Sequence, residues 1–315
     1  MEKEVSVVIP ICMPNSMLVE LVRRLLRQTV LPKELILINT KKYLDGSDLI
    51  LDEIRELVEG MLPLEVRDID PLEFDHGATR AMGMLLARSG FVLLMTQDAL
   101  PKNRYLIANL LKHFENDEIA LAYAKQSPVK GCNLVEQYTR GFNYPDEDMI
   151  KSKEDLDVLG IKTYFCSDVC AMYSKALYDK VGGFPTKTIF NEDGIFAARA
   201  IDMGFKIAYA SDAVVIHSHN YTILQQFSRN FDLGVSHKEF ADVFGKVKSE
   251  DEGIKLVTKT VRYLLDSGHW YLIPSLILHS GAKFLGYRLG KQYRLLPDEL
   301  VVRLSMNKNY WKRGN

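Results

Sequence analysis

Short apolar runs alternate with stretches of helical period along roughly the first 125 residues. Val5-Ser-Val-Val-Ile-Pro-Ile11 is a β-rich run that starts almost at once. Asn15 then stands where a helix cap belongs, ahead of Leu18, Leu21, Val22, Leu25 and Leu26, which recur with the spacing of one helix face. Glu34-Leu-Ile-Leu-Ile-Asn39 predicts a second strand. Asp45-Gly-Ser-Asp48 predicts a turn, with Ser47 capping a helix that carries Ile50, Leu51, Ile54 and Leu57 on one side. Leu64–Arg67 predicts a short third strand, 77–88 a helix, Phe91–Met95 a fourth strand, 103–113 a helix and 119–124 a further strand. Strands alternating with helices predict a parallel sheet with right-handed crossovers.

The pattern then loosens. Residues 126–162 are polar, with an acidic run over 146–157, and predict a long surface loop. Residues 163–172 return as strand, followed by a short helix and the turn Gly182-Gly-Phe-Pro185. A helix is predicted over 192–203, strands over 206–210 and 213–216, and mainly helix from Tyr221 onward. The chain therefore divides into an α/β part, residues 1–220, and a helical part, residues 221–315.

Composition narrows the class. With 47% hydrophobic and 26% charged residues in 315, the chain is globular and long enough for a sizeable core. A net charge of −1 argues against nucleic acid as a partner. The charge is uneven, however: residues 254–315 carry +8 and the rest −9. A basic tail on an acidic body suits an anionic surface, or simply a solvated helical face. The four cysteines, at 12, 132, 166 and 170, form no C-x-x-C. Cys166 and Cys170 share one face of the predicted strand, so they read as core thiols in a reducing cytosol. Met-Glu-Lys-Glu runs straight into a strand, so no secretory leader is expected, and no spanning helix either.

Three places carry candidate chemistry. Phe91–Met95 ends in Thr96-Gln97-Asp98. A buried strand of an α/β sheet opens at that end into a crevice where ligands bind, and one carboxylate there can hold a hard divalent cation. The plainer reading makes Asp98 the cap of the next helix. Glu192-Asp193 opens a helix, where carboxylates either complement the macrodipole or serve as acid and base. Trp270–His279 is apolar but too short to span a bilayer, so it predicts an interfacial helix or a buried dimer or domain contact.

The order of these parts resembles a family 2 glycosyltransferase of the GT-A fold, a Rossmann-like α/β sheet flanked by helices. The resemblance is carried by Val5–Pro10, the strand ending at Asn39 with its Asp45-Gly-Ser-Asp turn, Gly77-Ala-Thr-Arg80 and Thr96-Gln-Asp-Ala99. It continues through Gly182-Gly-Phe-Pro185, Asn191-Glu-Asp-Gly194 and His217-Ser-His-Asn-Tyr221. Phe74–Arg80, Leu94–Pro101 and Lys283–Lys291 are similar to the rhamnosyltransferase branch. The resemblance implies an inverting, metal-assisted transferase that moves L-rhamnose from dTDP-rhamnose to a surface polysaccharide or its lipid-linked precursor. It implies a cytoplasmic site, at the inner face of the cell membrane where the acceptor is lipid-linked. Two alternatives stay open: a UDP-hexose donor, and a non-catalytic nucleotide-sugar-binding module. One departure is visible, since the usual Asp-x-Asp metal motif stands here as Gln97-Asp98-Ala99.

Site residues follow by the same resemblance. Asp98 and His217 are the implied ligands of Mg2+ or Mn2+, with His219 as the substitute for His217. Pro10, Asn39 and Asp45 are the implied nucleoside contacts. Asp75 and Arg80 are implied at the base and phosphate, Gly77 at a close backbone approach, and Gln97 and Asp168 at the nucleotide sugar. Asp193 is the implied base, and Glu192 a positioning or acceptor-binding residue.

Overall fold

The computed structural model describes residues 3–42, 46–129, 131–218, 221–245 and 250–312. One mixed sheet organises the first two thirds of the chain. Its strands are β1 (Val5–Cys12), β2 (Glu34–Thr40), β3 (Leu64–Ile69), β4 (Phe91–Met95), β5 (Leu100–Pro101), β6 (Ile119–Ser127), β7 (Met149–Lys151), β8 (Cys170–Ser174) and β9 (Lys206–Ile216). They lie in the order β3-β2-β1-β4-β8-β6-β9-β5, with β7 added to β9. The helices on the sheet are α1 (Ser16–Leu25), α2 (Ser47–Val58), α3 (His76–Leu86), α4 (Leu106–Leu111), α5 (Leu134–Asn143), α6 (Leu156–Leu159), α7 (Lys175–Val181) and α8 (Glu192–Asp202). Beyond them come α9 (Ile223–Glu239), α10 (Ala241–Phe244), α11 (Glu250–Asp266), α12 (Ile273–Lys291) and α13 (Asp298–Leu304).

The first four large strands pair in parallel, as the alternation predicts. β1, β2 and β4 are almost wholly buried because helices cover both faces of the sheet, which is why they read as continuous apolar runs. β8 then enters antiparallel between β4 and β6. The sheet is therefore mixed, a property that strand–helix alternation does not reveal.

Other departures from the sequence reading have local causes. The strand predicted over 163–172 starts only at Cys170. Residues 160–164 form a 3-10 turn, and the side chain of Lys151 ties it down by donating to the carbonyls of Lys162, at 3.0 Å, and Phe165. Cys166 and Cys170 are both buried thiols, but only Cys170 lies on the strand. The predicted loop over 126–162 contains α5, β7 and α6. α5 leaves none of its residues fully buried; its cap Asn133, the Glu136–Arg140 pair at 2.7 Å and the stacking of Tyr138 on Tyr263, 4.5 Å between ring centres, support it. Gly46, in the left-handed region, is the cap of α2 and Ser47 is already inside the helix. The two short strands predicted around residue 211 are one strand, β9, with an irregularity where Ala124 gives way to Lys125 in its partner. Asp98 is not the cap of the next helix: it lies in the turn between β4 and β5, and α4 begins only at Leu106, after Tyr105.

The expected division at residue 220 falls at a pair, 219–220, outside the described residues. From Ile223 the chain is helical, and Phe231, Val235, Val301 and Tyr310 pack with Ile189 from the loop before α8. Among the described residues, no helix is long and apolar enough to cross a membrane. α9 and α12 meet through glycines. A Cβ at Gly290 would lie 2.0 Å from the Phe231 carbonyl oxygen, and one at Gly286 2.3 Å from that of Phe227. Gly290→Ala is therefore expected to push the helices apart and lower thermal stability by about 1–3 kcal/mol, the usual scale of overpacking. An unchanged midpoint in thermal unfolding would contradict this close packing.

Candidate active site

The C-terminal ends of the parallel strands form one edge, and most of the predicted residues meet there. Asp98 sits in the turn that leaves β4. His217 follows β9, is 4% exposed, and places Nδ1 3.4 Å from Asp98 Oδ1. Two ligand atoms of one small divalent cation, each bound at about 2.1 Å, take up such a spacing. The residues present thus fit a hard cation that takes its remaining oxygens from diphosphate and water. Gln97 has a different task from the one expected. Its amide donates to the Cys12 carbonyl and accepts from the Cys12 N–H, both at 3.0 Å, and so stitches the end of β1 to the turn that carries Asp98. A carboxylate could make only one of those bonds.

Deeper in the site a buried charge cluster joins three segments. Arg80, on α3, reaches Glu192 Oε1 through Nη1 at 2.9 Å and lies 3.2 Å from Asp168 Oδ2 through Nε. Asp168 accepts from Tyr173 Oη at 2.5 Å, and its own N–H donates to Asp193 Oδ2 at 3.2 Å. Asp193 also accepts from the Gly194 N–H at 2.7 Å. Arg80, Asp168 and Glu192 are buried, whereas Asp193 is only half-buried and can be reached from outside. Asn191, with φ +71°, turns the chain into α8 so that both carboxylates face inward.

One guanidinium faces three carboxylates, and burial decides the outcome. Desolvation pushes Asp193 up to about 6, with the Glu192 charge adding to it and the Gly194 and Asp168 N–H groups opposing it. Burial likewise holds Asp168 well above the carboxylate range, against the pull of Arg80. Burial works against the charge of Arg80, but Glu192 and Asp168 outweigh it and hold the guanidinium above its usual value. Asp168 and Asp193 are therefore both held toward their protonated forms.

The expected contacts on the nucleotide side separate into two kinds. Asn39, at the end of β2, is fully buried; Nδ2 donates to Asp68 Oδ1 at 2.9 Å, while Oδ1 has no hydrogen-bond partner among the described residues. Asp68 lines an open hollow of about 570 Å³ with Arg67, Leu72, Glu73 and Thr79. Pro10, near the end of β1, pairs with Ile38 beside it. Asp75 and Gly77 instead build the scaffold. Asp75 caps α3 through the Gly77 and Ala78 N–H groups at 3.0 Å, and its second oxygen accepts from the Thr188 N–H at 3.1 Å. A Cβ on Gly77 would lie 2.0 Å from the Pro185 carbonyl oxygen, so the close approach expected there is to the protein's own loop. Asp45 and His219 lie outside the described residues.

The sequence reading missed Tyr173 and His76. Tyr173 hides in an apolar strand. His76, inside Phe74–Arg80, accepts from Arg80 through its carbonyl at 3.2 Å, and burial, helped by Arg80, lowers its imidazole to about 3. A separate group, His113, Asp148 and Asp212, has ligand atoms within 4.8 Å of one another. Lys112 already supplies its cation, at 2.6 Å from Asp212 and 3.3 Å from Asp148.

Comparison with known proteins agrees with this arrangement. The family model described as glycosyl transferase family 2 matches residues 6–182. The chain is 34% identical to the O-antigen chain rhamnosyltransferase RfbN of Salmonella typhimurium, over 98% of this chain and 96% of that one. It is 37% identical to the O-antigen chain rhamnosyltransferase WbaN of Salmonella anatum, over 90% and 88%. Among solved structures, the mannosyltransferase PcManGT from Pyrobaculum calidifontis, in complex with GDP-Man and Mn2+, superposes with a TM-score of 0.58 at 16% identity, covering 98% of this chain and 85% of that one. Residues 1–349 of S. aureus TarS in complex with UDP-GlcNAc give 0.54 at 17% identity, covering 93% and 92%. At such identity the likeness concerns the fold, which is GT-A. The family match over more than half the chain and the two near full-length relatives make this protein a family 2 glycosyltransferase.

Proposed function

We propose that the chain transfers L-rhamnose from dTDP-rhamnose, with inversion, to a lipid-linked precursor of a surface polysaccharide at the inner face of the cell membrane. The observation that carries the donor and product class is the near full-length similarity to two O-antigen chain rhamnosyltransferases. Asp193 is the base that takes the proton of the acceptor hydroxyl. Glu192 positions it by holding Arg80. Asp168 orients the donor sugar, and Pro10, Asn39 and Asp45 hold the nucleoside. Asp98 and His217 hold Mg2+ or Mn2+, which when bound neutralises charge on the departing diphosphate. Arg80, Asp75 and Gly77 act by building the site.

The acceptor side is read from the C-terminal helices. Trp270, Tyr271, Ile277, Leu278, Phe284 and Leu285 are exposed on or beside α12, in the basic part of the chain. An exposed apolar face flanked by cations suits the surface of an anionic membrane.

Three outcomes are expected. First, kcat/KM should fall as pH drops below about 6, because Asp193 must be ionised to accept a proton. Asp193→Asn should cut turnover by about 10²–10⁴-fold while leaving donor binding intact. The same substitution should not lower stability at neutral pH. The folded pKa of about 6 lies above the ordinary 3.8. Between those values the folded chain keeps a proton that the unfolded chain has released, so ionisation costs stability as pH rises through that window. A flat pH profile together with full turnover in Asp193→Asn would remove Asp193 from the chemistry. Second, Mg2+ or Mn2+ should tighten binding of dTDP-rhamnose, and Asp98→Ala should abolish that gain; equal affinity in excess chelator and in metal contradicts the metal reading. Third, the protein should co-sediment with anionic vesicles more strongly at low salt. Failure to do so, with a concentration-dependent rise in mass, would assign the α12 face to a second copy of the chain.

A further inference from the structure

The Glu192–Asp193 pair enters α8 from the loop 185–191, and the C-terminal helical region holds that loop by its carbonyls. The Phe190 carbonyl, two residues before Glu192, accepts from Ser236 Oγ of α9 at 2.7 Å and from Thr188 Oγ1 at 2.9 Å. Both of its lone pairs are thereby used. The Ile189 carbonyl next to it accepts from Asn307 Nδ2 at 3.4 Å. Asn307 is itself fixed to α9, because Asp232 Oδ2 accepts from the N–H groups of Met306, at 3.0 Å, and Asn307, at 3.1 Å. Asp232 and Ser236 stand one turn apart on the same face of α9, and both are buried.

That support is given to a backbone that needs it. Asn191 has φ +71°, a sparsely populated region for a residue with a side chain, and such a conformation persists where its surroundings over-determine it. The N–H of Thr188 is taken by Asp75, and the carbonyls of Ile189 and Phe190 by the helical region. Asp193 depends on the same turn. Its carboxylate meets the N–H groups of Gly194 and Asp168 because α8 starts at this angle. Packing alone would not call for these two polar side chains. They sit beside the apolar cluster of Ile189, Phe231, Val235, Val301 and Tyr310, where an unbonded polar group is costly and an apolar one of similar shape is not. Their bonds run to the loop that carries the pair, or to the segment that grips that loop.

We infer that Ser236 and Asp232 are positioning residues for the Glu192–Asp193 pair. Ser236 holds the Phe190 carbonyl directly, and Asp232 holds the backbone of 306–307 so that Asn307 holds Ile189. The inference deepens the transfer reading and rests on it for the role of Asp193 as base.

The test compares the wild type with Ser236→Ala, Asp232→Ala and Asp232→Asn, each checked by thermal unfolding. Two quantities are read: the carbon-13 titration midpoint of Asp193, and kcat and KM for transfer from dTDP-rhamnose to a saccharide on a lipid diphosphate. Both alanine variants should move the midpoint down from about 6, since a loosened turn admits water to a carboxyl group that desolvation holds up. Their kcat should fall about tenfold or more with little change in the donor KM, as misplacement of a catalytic group predicts. Asp232→Asn keeps an acceptor oxygen for the two N–H groups and should keep both quantities near the wild type. A merely structural role would lower the unfolding midpoint of the alanine variants and leave the Asp193 titration where it is. An unmoved titration in the folded alanine variants therefore overturns the inference, whatever happens to turnover. If Asp232→Ala does not fold, Ser236→Ala decides alone, because Thr188 still donates to the same carbonyl. A lowered titration in a protein whose Asp193→Asn variant keeps full turnover would support the positioning and count against the base reading instead.

Discussion

The buried guanidinium of Arg80 is the group on which the site depends. It is the one cation placed between Glu192 and Asp168, and the Asp168 backbone in turn holds Asp193. Three remote segments therefore meet at one charge: α3, the turn before β8 and the start of α8. Each is aimed by its own local device. Asp75 caps α3 and grips Thr188, Lys151 pins the turn at 160–165, and Asn191 bends the chain into α8. Removing one partner from a buried ion pair typically costs about 3–5 kcal/mol, because the other charge is then left without compensation in a medium that solvates it poorly.

The same cluster holds a carboxyl group that titrates toward neutral pH, which suits the proposed role of Asp193. If all three acids were ionised, the group would carry two uncompensated negative charges. Burial makes that unfavourable, so a proton is held among them and Asp193 titrates near 6. The fold gives up stability there, a common trade at active sites and one that the proposed role of Asp193 as a base would account for. Asp98 and His217 stand apart from this cluster at the strand edge, and suit the opposite task of meeting a negatively charged leaving group.

Much of the fold was legible in the sequence, and the limits are physical. β1, β2 and β4 announce themselves because they are buried on both faces and must be apolar throughout. The pairing of β8 between β4 and β6 was not legible, since strand direction leaves no mark on composition. α5 escapes a reading from apolar runs because its few apolar positions, Leu134, Val135, Tyr138 and Phe142, are scattered among polar residues and none is fully buried. Within the site, Asp98 and the Glu192-Asp193 pair stand out as polar residues at the ends of apolar elements, whereas His217 and the role of each residue came only from the family resemblance. Arg80, Asp75 and Gln97 also bind the protein itself, through Glu192 and Asp168, Thr188 and Cys12, contacts that the sequence could not show because it carries no distances.

The glycines of α12 let it lie backbone to backbone against α9. The whole account nevertheless rests on the proton held by the acid cluster. Its most direct test is a carbon-13 NMR titration of the aspartate carboxyl groups in the intact protein, with Asp193 assigned by its loss in Asp193→Asn. A midpoint near 6 for that resonance is predicted. A midpoint near the ordinary aspartate value of about 3.9 would contradict the claim that burial and the Glu192 charge, against the pull of Arg80, hold Asp193 ready as a base.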